Sequence, residues 1–114
     1  MTRQLFLVWT DAVQGQDAKF NDWYTNTHLA DVLKIPGIVA AQRFEMVSGL
    51  PLPGEQQSRK YLAIYELETD NIDNTLEKLN AAAGTSAMPL TDAMDGARVQ
   101  TAIYTPISNR AAAR

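Results

Sequence analysis

Phe20-Asn21-Asp22-Trp23-Tyr24-Thr25-Asn26-Thr27-His28-Leu29-Ala30-Asp31-Val32-Leu33-Lys34-Ile35-Pro36-Gly37-Ile38 is the stretch on which the reading of this chain turns. From Asp17 to Leu33 there is neither proline nor glycine, and Phe20, Tyr24, Thr27, His28 and Asp31 recur at steps of three and four. That spacing predicts a helix with one dominant face, α1. Pro36 disfavours the α conformation at Ile35, and Gly37 adds a turn signal, so the helix ends near Lys34 and an extended segment begins at Ile38.

Working outward, Leu5-Phe6-Leu7-Val8-Trp9-Thr10 is a short run of aromatic and branched residues closed by Asp11 and reads as a strand, β1. Residues 38–46 read as β2, with Arg43 and Glu45 on one face and Gln42, Phe44 and Met46 on the other. The Gly- and Pro-rich stretch from Ser48 to Ser58 is a long connection, expected to be mobile and to act as a flap over a site. Residues 60–67 form β3. Asp70 or Asn71 caps a second helix, α2, with Ile72, Leu76 and Leu79 on its apolar stripe and Gly84 at its end. Residues 85–97 have no firm period and are expected to be irregular or a short helical turn. Residues 99–105 are β4, stopped by Pro106.

The chain's 114 residues fit one domain, expected over 1–106 with a tail over 107–114. With 46% hydrophobic and 20% charged residues it belongs to the globular class. A net charge of -3 without any Lys/Arg run argues against a nucleic-acid partner. The absence of cysteine excludes disulfides and thiolate metal sites and permits a reducing cytoplasm, the expected location. Neither an export signal nor an apolar segment of bilayer length is apparent, so no membrane role is expected. No His/Asp/Glu cluster has metal-ligand spacing and no Gly-rich loop sits between a strand and a helix, so no metal and no cofactor is expected.

The order β1-α1-β2-β3-α2-β4 is the split βαβ pattern, an α+β, ferredoxin-like four-stranded antiparallel sheet with both helices on one face. The opposite face should then alternate with polar residues, yet Leu5, Leu7 and Trp9 are as apolar as Phe6 and Val8. A second sheet is expected to cover it, making a homodimer; the alternative is a monomer with an unusually apolar outer face. The segment quoted first resembles the first helix of EthD-like members of the dimeric α/β-barrel superfamily: Trp23-Tyr24-x-x-x-His28, a Pro-Gly turn, then Ala41-Gln42-Arg43-Phe44. The resemblance implies a barrel cavity that this helical face addresses. It leaves the reaction open, since the superfamily includes muconolactone isomerase-like enzymes, cofactor-free monooxygenases, haem-degrading enzymes and polyketide dehydratases. The haem-degrading branch uses a histidine on the second helix, which α2 lacks. The monooxygenases use Trp, Tyr and Asn, for which Trp9, Trp23, Asn21 and Asn26 are available.

His28 is the only histidine and the only side chain whose unperturbed pKa lies near neutrality, so it is the candidate for moving a proton, unless it is a surface histidine bonded to backbone. Tyr24 is expected to orient the imidazole or donate to substrate. Asp31 is expected to hold the imidazole tautomer, unless it is simply a solvated charge. Phe20, Trp23, Trp9, Arg43, Tyr65 and Tyr104 are the candidate substrate contacts. Phe20 and Trp23 stand at a spacing that more often makes core residues than ligand contacts, and Arg43 suits either a carboxylate clamp or a pair with Glu45 or Glu66. The expected function is a cofactor-free isomerase, dehydratase or other lyase acting on a small apolar cyclic or aromatic compound. The alternatives are a cofactor-free monooxygenase of phenols and a non-catalytic ligand-binding barrel.

Overall fold

The computed structural model describes residues 3–48 and 59–114. The expected flap, apart from Ser48, lies outside the described residues. Four strands, β1 (Arg3–Thr10), β2 (Ile38–Glu45), β3 (Tyr61–Glu68) and β4 (Gln100–Tyr104), form one antiparallel sheet in the order β2-β3-β1-β4. The two strands with apolar residues on both faces, β1 and β3, take the centre, each with a paired strand on either side. Register places Phe6 opposite Tyr65 and Ile103, and Val8 opposite Ala63 and Thr101, and these residues share the face turned to the helices. Leu5, Leu7 and Trp9 lie with Leu62, Ile64 and Tyr104 on the other face.

Helix α1 is α-helical over Asp17–Trp23, π-helical over Tyr24–His28 and α-helical again over Leu29–Val32. In the wider turn the Leu29 N–H donates to the Tyr24 carbonyl, five residues back. That winding keeps positions four apart in register, so Phe20, Tyr24 and Val32 are all buried while Thr27, expected on the same face, is exposed. Gly37 makes the exit turn at φ 98°, and a Cβ there would lie 2.9 Å from Thr75 Oγ1, so two requirements meet on one glycine.

Helix α2 (Ile72–Ala82) is capped by Asn71, whose side-chain oxygen accepts from the Asn74 N–H at 3.0 Å. Ile72 and Leu79 pack on the core as expected; Thr75, outside the expected stripe, is fully buried and donates to Thr69 Oγ1 at 2.9 Å. Residues 85–95 have no regular period but supply buried Met88 and Ala93, and they run back past β1, where Val13 N–H meets the Ala93 carbonyl at 2.7 Å. A short 3-10 turn, Gly96–Arg98, leads into β4. No helix among the described residues is long and apolar enough to cross a membrane.

Candidate active site

Between the helix-facing side of the sheet and the two helices lies a cavity of about 230 Å³. Phe6, Val8 and Thr10 of β1 and Tyr65 of β3 form its floor, and Tyr24, His28 and Val32 of α1 form one wall. Met88 and Met94 close it, with Leu79 and Asn80 of α2 at its side. It lies within one chain, between the sheet and its own helices.

His28 is partly buried on that wall. Its ring stacks on Trp23 (centroids 4.5 Å apart, planes at 22°) and meets the Tyr24 ring edge-on at 4.9 Å. Nδ1 is shielded and has no hydrogen-bond partner, which leaves Nε2 as the nitrogen able to face a ligand. Burial pushes the imidazole pKa down, the Arg43 charge lowers it further, and Asp31 opposes both. The neutral ring is therefore the form at neutral pH.

The Tyr24 hydroxyl is not on the imidazole; it pairs with the Tyr65 hydroxyl at 2.7 Å, both tyrosines buried, and burial raises the pKa of both. Asp31 is not a solvated charge, since its side chain is 13% exposed, and no hydrogen bond joins it to His28. Its Oδ2 is nonetheless buried and unpartnered, as is His28 Nδ1 three residues earlier on the same helix. Trp23 stands behind His28 and anchors the irregular segment through Nε1–H to the Pro89 carbonyl at 3.1 Å. Phe20 is a core residue packed between Trp23, Tyr24 and Tyr61.

Arg43 turns inward. Its guanidinium sits 4.4 Å over the Tyr24 ring, donates to Asn21 Oδ1 at 2.9 Å and Thr25 Oγ1 at 3.0 Å, and among the described residues makes no ion pair with Glu45 or Glu66; Glu66 pairs instead with Arg3 at 2.8 Å. Aromatic faces accept a guanidinium at little desolvation cost, which is what allows the charge to sit half-buried behind the cavity wall. Trp9 and Tyr104 are on the opposite face of the sheet and cannot meet the same ligand. Asn21 is occupied by Arg43 and Tyr61, and Asn26 by Asp22 at 2.8 Å, so the Trp/Asn set does not assemble around the cavity. Sequence reading missed Thr10, Met88 and Met94; the methionines stand in a segment whose lack of period hides which side faces inward.

Fold and site together define a ferredoxin-like α+β domain with an open apolar cavity and one histidine, its pKa lowered by burial, on the wall. No family model and no curated protein matches the chain. Solved structures do: an EthD (ethyl tert-butyl ether D) family protein of Bacillus halodurans at 18% identity, over 90% of this chain and 96% of that one (TM-score 0.56). Others are the haem degrader MhuD of Mycobacterium tuberculosis, with two haems in its active site, at 14% identity over 95% and 99% (TM-score 0.63), and a candidate monooxygenase of Shewanella loihica at 14% over 95% and 98% (TM-score 0.58). At these identities the likeness establishes the fold, and the EthD protein agrees with the resemblance carried by Trp23, Tyr24 and His28.

Proposed function

We propose that this chain is a cofactor-free enzyme that moves a proton on a small, uncharged cyclic or aromatic compound, in an isomerisation, dehydration or other lyase step with His28 as base. The observation that carries this reading is an imidazole on the wall of an apolar cavity, its Nδ1 without a hydrogen-bond partner among the described residues and its pKa pushed down by burial. Its roughly 230 Å³ falls below the 300–1,000 Å³ of drug-sized sites, which favours a single ring. Nε2 takes a proton from carbon, the C–H electron pair moves into the adjoining π system, and the imidazolium returns the proton to another carbon or to a departing hydroxide as water. In the substrate complex the buried, unpartnered Oδ2 of Asp31 is to accept from Nδ1–H, a bond that the free chain does not make.

MhuD holds haem, but the residues here do not fit that group. Helix α2 has no histidine, and no lysine or arginine lines the cavity to meet propionate carboxylates. A second reading, favoured by the fold shared with the Shewanella protein, starts from the same deprotonation on a phenol. The phenolate then reacts with O2, one oxygen atom entering the ring to give a quinone and the other leaving as water. One panel of small cyclic ketones and phenols separates the readings. Solvent deuterium entering carbon, read by NMR, is expected for the first, and oxygen uptake at an electrode for the second. A retained but unchanged ligand in a native mass spectrum would leave only a binding barrel.

The outer sheet face supports a homodimer, the two sheets meeting as a dimeric α/β barrel. Phe44 and Tyr104 are 42% and 55% exposed there, beside the apolar Leu5, Leu7 and Ile64, a patch that single chains seldom leave uncovered. Trp9 and Tyr104 are then interface residues. Light scattering after size exclusion should give twice 12.6 kDa, and Leu7→Arg should give the monomer; a wild-type monomer at micromolar concentration ends the barrel reading. A cytoplasmic location belongs to the same proposal and is supported by the lack of cysteine.

A further inference from the structure

The paired hydroxyls of Tyr24 and Tyr65 have a donor to spare. Two phenols carry two O–H protons; the 2.7 Å contact between them uses one, and among the described residues neither hydroxyl has another partner. Both side chains line the cavity that His28 faces, and both stay protonated because burial raises their pKa. Over the Tyr24 ring, and outside the cavity lining, stands the Arg43 guanidinium, which among the described residues hydrogen-bonds to no carboxylate. An apolar cavity would ordinarily penalise negative charge. This one has an unspent O–H donor, strengthened by a second phenol in chain and by a nearby cation.

We infer that the Tyr24–Tyr65 hydroxyl pair is an oxyanion site, and that the substrate is a small ring bearing a carbonyl or phenol oxygen next to the position His28 deprotonates. The assignment rests on the proton-transfer reading above and names its substrate class. As Nε2 takes the proton from the carbon beside the carbonyl, the C–H pair forms the C=C bond and the carbonyl π pair moves to oxygen. The resulting enolate oxygen accepts the spare O–H. Arg43 acts here as a positioning residue, through its charge and its hold on the Tyr24 ring.

Binding of two probes, 4-nitrophenolate and nitrobenzene, tests this. The ring and nitro group are common, and only the first carries an oxyanion. A hydrogen bond to a charged group corresponds to about 10- to 100-fold in affinity, so Tyr24→Phe/Tyr65→Phe should lose that factor for 4-nitrophenolate and bind nitrobenzene as the wild type does. Each single variant keeps one hydroxyl with its own proton and should lose less than about tenfold, so the losses are non-additive. A measurement on the wild type alone guards against a double variant that does not fold. The ionisation of bound 4-nitrophenol, followed by absorbance, should move to lower pH than in water, whereas an apolar cavity by itself would move it higher. A move to higher pH, or an unchanged probe ratio in the double variant, overturns the oxyanion site and leaves the cavity standing. If neither probe binds the wild type, the proton-transfer reading falls with it.

Discussion

Replacing His28 with glutamine should lower turnover by about 100- to 10,000-fold while far-UV circular dichroism and oligomeric state stay unchanged. Glutamine keeps a polar group of similar reach but cannot take a proton, so the variant isolates the acid–base step from the packing against Trp23 and Tyr24. Steady-state rates on the substrate found by deuterium exchange are the measurement, and wild-type turnover in the variant would remove His28 from the mechanism. The sign of the pH dependence is set by the depressed imidazole pKa. The active form is neutral, so the wild-type rate is level through neutrality and falls on the acid side, below the ordinary histidine value of about 6.5. Stability follows the same direction. A histidine held neutral by burial contributes above its unfolded pKa, and that contribution is lost as pH drops towards the folded value, because the unfolded chain then binds the extra proton. His28→Gln should therefore flatten the acid limb of a denaturation-midpoint profile between neutrality and weak acid.

Phe20→Ala should cost about 3–5 kcal/mol of stability, a large share of the roughly 5–15 kcal/mol that keeps a domain folded. Phe20 is fully buried and is the ring on which Trp23, Tyr24 and Tyr61 all pack, at centroid distances of 6.2, 5.7 and 5.5 Å. It also lies 5.4 Å from the Arg43 guanidinium, so truncation opens a void beside a half-buried charge. Urea unfolding reads the loss as a lowered midpoint. Activity per folded molecule should fall far less than for His28→Gln, because Phe20 does not line the cavity. A variant that unfolds like the wild type yet loses activity would return Phe20 to the ligand contacts it was first grouped with.

What the chain announces in one dimension is its element order and its one candidate proton carrier. A helix from Asp17 that must stop before Pro36, two strands apolar on both faces and a second helix capped at Asp70 or Asn71 are local properties, set by backbone sterics, capping and side-chain period. The ferredoxin-like topology follows from their order, and the structure bears it out in the sheet order β2-β3-β1-β4. His28 was legible as well, because only one residue in the chain titrates near neutrality. Three things came from tertiary structure alone. Facing was one: period 2 divides each strand into two sets but does not say which set meets the helices, so Arg43 was free to turn inward onto Tyr24 while Trp9 and Tyr104 went to the opposite face. Pairing across long sequence separation was another, as Tyr24 and Tyr65 meet through their hydroxyls only because β3 packs under α1. The last was the closing wall, since Met88 and Met94 owe their position to the return of residues 85–95 past the end of β1, a path fixed by contacts such as Val13 with Ala93 that no local pattern encodes.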